Sequence, residues 1–198
     1  MKKFLLEIVK PVLRHPLFTA MTSILVGSLI VNIILQNRDR DDATFQLKVG
    51  LLEESGNLIN NVLTREYGII ASEAVDENDI DGLDSLIGLL YKNRMRVKIR
   101  DKAYFNNESF YSNYDEILIE LNAIDADLTR LQQNKFDTAA QIKTIHTYID
   151  TLQKRWNIMP DSSDSGLGTP YRELNIWTGM VWDKTEQTLS TELDKAIK

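Results

Sequence analysis

Residues 17–35, LFTAMTSILVGSLIVNIIL, form a run of nineteen residues without a charged side chain. A helix rises about 1.5 Å per residue, so this run would nearly cross a hydrocarbon core of about 30 Å. A cleaved signal peptide would have a shorter apolar region and small residues after it, whereas QNRDRDD follows here. A buried helix of a soluble domain is the other alternative. We therefore predict a transmembrane helix over residues 17–36, between a short basic tail (1–16) and one domain (37–198).

The charges on the two sides of this run predict its orientation. Four basic residues precede it, and two follow closely, at Arg38 and Arg40. The side with more Lys and Arg usually faces the cytoplasm. We expect a single-pass protein of the inner (cytoplasmic) membrane, with its N-terminus in the cytoplasm and a periplasmic main domain.

Small residues within the predicted span offer a helix-packing surface. Ser23 and Gly27 lie four residues apart, a spacing that lets two helix backbones approach closely in lipid. The span is thus a candidate interface with other membrane proteins or with a second copy of itself. Such residues are also common in spans that do not associate, and that interpretation is preferred.

The composition excludes several classes of function. The chain carries a net charge of −6, and residues 43–198 alone carry −8, which argues against nucleic acid as a partner. The chain has no cysteine, so neither a disulfide, a thiolate nucleophile nor a cysteine metal site can be formed.

Apolar periodicity predicts an all-α domain, a helical bundle with a coiled-coil-like hairpin. The helices are expected at about residues 43–71, 83–101, 110–133, 138–159 and 170–197. Apolar residues from Phe110 to Leu131 alternate spacings of three and four, and a second such seam runs from Ile142 to Met159. An antiparallel hairpin is favoured over one long helix, because residues 135 and 138 of the seam are not apolar.

A run of alternating basic residues lies within this acidic domain. Its six members are Lys92, Arg94, Arg96, Lys98, Arg100 and Lys102. Strict alternation is typical of a strand, but without a second strand to pair with we predict a helix. The run is a candidate contact with lipid headgroups or an acidic partner, although neutralisation by the acidic cluster at residues 73–84 is slightly preferred.

Few residues point to chemistry. Asp79 and Asp81 resemble part of a calcium loop, but position twelve is Gly88 where a glutamate is needed. The acidic cluster is therefore interpreted as a solvated turn whose aspartates favour the N-terminus of the next helix. His146 has Asp150 four residues later but no accompanying nucleophile motif. Trp182 lies off the apolar stripe of the last helix and is a candidate contact with lipid or a partner. We expect no catalytic residue, no metal and no cofactor.

The leading functional hypothesis is a membrane-anchored, non-catalytic interaction or scaffold protein, an accessory subunit or assembly factor of a membrane complex. Its partners would be the lipid bilayer and other membrane proteins or itself. The alternatives are an extracytoplasmic helical-bundle sensor acting through a separate protein, and an oligomerising membrane-active effector. An enzyme is retained only because unfamiliar carboxylate sites escape sequence patterns.

Overall fold

The computed structural model describes residues 42–105, 109–136, 138–158 and 169–197, and these form five helices. They are α1 (Asp42–Ser72), α2 (Glu77–Tyr104), α3 (Ser109–Gln132), α4 (Thr138–Trp156) and α5 (Pro170–Ile197). The predicted all-α class is confirmed for this part of the chain, which contains no strand. None of these five helices is long and apolar enough to cross a membrane. The predicted tail and span, with Ser23 and Gly27, lie outside the described residues.

Helix α2 begins at Glu77, six residues before the predicted start. Asp76 caps it, because the backbone N–H of Asp79 donates to the Asp76 carboxylate at 2.8 Å. Acidic side chains in a first helical turn interact favourably with the positive end of the helix dipole. The acidic residues from 77 onward are therefore helical, and the prediction of a turn is wrong for them, whereas the predicted preference of the aspartates for a helix N-terminus is confirmed.

The chain reverses between α3 and α4. Asn134 has a φ of 52°, and the N–H of Lys135 donates to the carbonyl of Arg130 at 2.9 Å, a hydrogen-bond pattern that terminates a helix. Residues 116 and 120 of α3 contact residues 156 and 148 of α4, respectively, so the two helices are antiparallel. The region is a hairpin and not one long helix.

The described residues from 47 onward form one compact unit with a continuous apolar core. Both predicted seams face this core. The buried seam residues are Phe110, Tyr114, Ile117, Leu121, Ile124 and Leu128 on α3, and Ile142, Ile145, Ile149, Leu152 and Trp156 on α4. Leu131 is half-buried, and Met159 lies outside the described residues.

Helix α5 buries its central turns and exposes its end. Leu174, Trp177 and Val181 are buried, whereas Ile197 near the end of the helix is 56% exposed. Helix α5 lies beside both α3 and α4. It therefore completes the core that the hairpin begins.

Candidate interaction surface

The inner face of α2 is held against α1 and α3. Leu83, Leu90 and Val97 are fully buried on this face. The Tyr114 hydroxyl donates to the carbonyl of Leu90 at 3.1 Å, which links α3 to the α2 backbone. The opposite face of α2 carries exposed side chains.

The outer face of α2 exposes three large apolar side chains in a row. Tyr91 is 45% exposed, Met95 60% and Ile99 65%. Successive members are four residues apart, so they lie along one side of the helix over about 12 Å. We call these three residues the apolar row. A row of neighbouring apolar side chains is more informative than single exposed ones, because contiguous patches mark interaction sites.

The three arginines of the basic run pair within the protein. Arg94 forms an ion pair with Asp115 of α3 at 2.5 Å. Arg96 forms one with Glu54 of α1, and Arg100 lies 3.8 Å from the same carboxylate. The expected neutralisation thus involves Glu54 and Asp115, whereas Asp79 of the acidic cluster pairs with Arg65.

The three lysines of the run face solvent. Lys92, Lys98 and Lys102 are exposed, and within the described ranges no ion pair joins any of them to a carboxylate. Lys98 places its ammonium 5.2 Å from the centre of the Tyr111 ring. Asp101 lies between Lys98 and Lys102 in sequence but is buried. One of its carboxylate oxygens accepts a hydrogen bond from the backbone N–H of Tyr111 at 2.8 Å. The three residues, here called the free lysines, therefore leave local positive charge on an acidic protein.

The apolar row and the free lysines share one face of α2. At about 100° per residue, Lys92 and Lys98 fall about 60° to either side of Met95, and Lys102 falls about 20° from it. The row is therefore bordered by cations on both sides. We call this combination the α2 surface.

A shallow, open depression lies on the neighbouring face of α3. It has a volume of about 350 Å³ and is lined by Tyr111, Ser112, Asp115, Glu116 and Ile119. It is wide open to solvent, so it does not enclose a small molecule in the way that substrate pockets do.

The other residues singled out in the sequence do not join this surface. Asp79 and Asp81 are two residues apart on a helix and point in different directions, so they do not form a calcium loop. Trp182 is half-buried, and its indole N–H donates to Glu186 at 3.2 Å. His146 contacts Glu173 of α5 at 3.1 Å, not Asp150.

Two buried carboxylate clusters were not predicted. In the first, Glu120 of α3 accepts hydrogen bonds from Tyr148 (3.0 Å), Arg155 (3.1 Å) and Trp177 (3.2 Å). Burial raises the pKa of Glu120, and these donors oppose the increase. The cluster joins α3, α4 and α5 through one buried group, which is a structural role.

The second cluster brings together carboxylates from three helices. Glu66 of α1 is fully buried, and neither of its oxygens has a hydrogen-bond partner among the described residues. Burial raises the pKa of Glu66 well above its usual range, and Asp125 raises it further. Burial also raises the pKa of Asp125 to about 7, with an additional contribution from Asp84 of α2. Such a cluster destabilises the fold when its members ionise.

Within the described ranges, no three His, Asp or Glu side chains are arranged to hold a metal ion. The α2 surface therefore remains the best candidate for a functional site.

No protein-family model, curated protein or solved structure matches the chain.

Proposed function

We propose that this protein is a membrane-anchored, non-catalytic interaction protein that uses the α2 surface to hold its helical bundle against a component of the membrane. The observation that carries this proposal is the exposed row of Tyr91, Met95 and Ile99 between the free lysines. Its apolar side chains would gain from removal from water, by about 25 cal/mol per Å². The lysines supply attraction and orientation toward an anionic partner.

The buried polar groups support a scaffold role rather than a reaction. Glu120 and Glu173 are each about 1% exposed or less, and their contacts join helices to one another. Catalytic groups must reach a substrate, usually in a cleft. The predicted span at residues 17–36 supplies the membrane attachment in this proposal.

The proposal is tested by native extraction of the full chain in mild detergent, followed by measurement of particle mass. We expect the wild-type chain to migrate in a particle larger than a monomer, containing itself or other membrane components in fixed ratio. The double substitution Met95→Gln/Ile99→Gln should lower the particle mass by the mass of the protein or lipid that the α2 surface holds.

A matched control separates loss of the α2 surface from loss of apolar surface in general. Tyr67 and Leu89 are 38% and 44% exposed and lie outside the apolar row. The control variant Tyr67→Gln/Leu89→Gln should retain the wild-type mass. Identical masses for all three proteins would contradict the proposal.

A further inference from the structure

We propose that the α2 surface binds an anionic lipid surface, with the apolar row in the headgroup region and the free lysines against the lipid phosphates. This inference rests on the proposed function, since it names the partner of the same surface. It would hold α2 against the surface of the bilayer.

The shape of the surface favours a bilayer over a protein partner. The α2 surface is one outward face of one helix, and the nearby depression is lined by α3 residues alone. Protein interfaces concentrate their affinity in packed pockets that receive anchor side chains. Helices that lie on bilayers present an apolar row with lysines or arginines beside it, and the lysine stems extend along the boundary.

The residue type of the unpaired cations also favours a bilayer over a protein partner. Arg94, Arg96 and Arg100 are occupied by Glu54 and Asp115. An acidic protein partner would be recognised best by arginine, whose planar group matches a carboxylate in two contacts. The free cations are all lysines, flexible point charges that suit attraction to a layer of phosphates.

The position of the α2 surface along the chain also favours binding to the bilayer. Lys48 of α1 lies 5.4 Å from the Phe105 ring, so the C-terminal end of α2 lies beside Lys48. Only eleven residues separate the end of the predicted apolar run, at 35, from residue 47. A chain of that length reaches at most about 40 Å. Attachment at this distance would raise the effective concentration of the α2 surface at the bilayer.

The free lysines supply the selectivity for anionic lipid. Each lysine near such a surface contributes about 1 kcal/mol, so replacing all three should lower the ratio of docked to undocked protein roughly a hundredfold. The attraction acts over a screening length of about 10 Å at 0.1 M salt and about 3 Å at 1 M. High salt should therefore release the surface.

The absence of cysteine makes a direct test possible, because one introduced thiol can be labelled uniquely. The full chain is reconstituted in lipid nanodiscs of phosphatidylcholine, alone or mixed with phosphatidylglycerol. An environment-sensitive fluorophore is attached at Met95→Cys, at Ile99→Cys or, as a control, at Tyr67→Cys on α1. Emission wavelength and access to an aqueous quencher report whether the labelled position enters lipid.

We expect blue-shifted, quencher-protected emission at positions 95 and 99 in anionic discs only. The signal should disappear in 1 M salt and in the background Lys92→Gln/Lys98→Gln/Lys102→Gln, while position 67 stays exposed throughout. Unchanged helicity by circular dichroism shows that each variant is folded.

Two results would overturn the inference. Exposure of positions 95 and 99 in both disc types would exclude lipid as the partner, and equal protection in both would exclude a role for anionic headgroups. If lipid is excluded but Met95→Gln/Ile99→Gln still reduces the native particle mass, the proposed function stands with an acidic protein as partner. If neither assay responds, both proposals fail.

Discussion

The carboxylate cluster of Glu66, Asp84 and Asp125 predicts that replacing Asp125 with Asn stabilises the protein at alkaline pH. Asp125 is 7% exposed and has one unpartnered oxygen. Its carboxyl group is faced by Glu66 of α1 and Asp84 of α2, with no cation among the groups that shift its pKa. Asparagine fills the same volume without a charge, so it removes both the repulsion and the burial of an anion.

The magnitude follows from the two pKa values of Asp125. An unfolded aspartate has a pKa of about 3.9, whereas the folded one is raised to about 7. Between these values the unfolded chain has released the proton and the folded chain still holds it. The free energy of unfolding is therefore highest below pH 4 and decreases as the pH rises to about 7. The difference between the two pKa values corresponds to a loss of at most about 4 kcal/mol in the free energy of unfolding. Because Asp84 is exposed and its charge is screened by solvent, we expect a loss of about 2 kcal/mol.

The assay is urea unfolding of the full chain in detergent, followed by tryptophan fluorescence from pH 4 to pH 8. With a slope of about 2 kcal/mol per M urea, Asp125→Asn should raise the midpoint by about 1 M at pH 8 and hardly change it at pH 4. Asp150→Asn, an exposed position on α4, is the matched control and should behave as wild type at both values. If Asp125→Asn and wild type lose stability in parallel as the pH rises, the carboxylate cluster does not couple folding to protons.

Substitutions at four further positions test other contacts by the same unfolding assay. Glu120→Ala should lower the free energy of unfolding by about 3–5 kcal/mol, because it leaves buried donors unpaired, and Glu120→Gln should cost clearly less; equal losses would refute the acceptor role. Asp76→Ala should cost about 1 kcal/mol through loss of the α2 cap, and an unchanged midpoint would show that the cap is dispensable. Gly68→Ala should stabilise by about 0.5–1 kcal/mol, because nothing lies within 4 Å of the added methyl group. At Gly56 the same methyl group would lie 2.9 Å from Leu189, so Gly56→Ala should stabilise less, and the reverse order would contradict this packing.

Local sequence signals were sufficient to predict the helices and many of the buried core residues. Phe110, Tyr114 and Ile117 are buried as their spacing predicts, because helical periodicity assigns residues to faces without knowledge of the partner helix. The start of α2 was predicted too late, because a dense acidic stretch resembles a turn. The preference of its aspartates for a helix N-terminus was predicted, but the structure was needed to place that N-terminus at the Asp76 cap.

The buried carboxylates were missed although a weak signal exists. Glu66 lies three residues after Leu63 and four before Ile70, within an apolar stripe, and Glu120 lies three residues after Ile117. A charged residue in such a position can lie either at the edge of the stripe or inside it. The neighbouring helices decide, since only they determine whether water reaches the carboxylate.

For the basic run, the sequence by itself determined the charges, the helical period and the alternation of basic with non-basic residues. Which cations remain available was decided by tertiary structure, because Glu54 is more than thirty residues away in sequence and Asp115 belongs to the next helix. The same packing left Met95 and Ile99 outside the core although they continue the i, i+4 row of buried Leu83 and Ile87. That row drifts around the helix by about 40° at each step, so it begins on the buried face and ends on the exposed one.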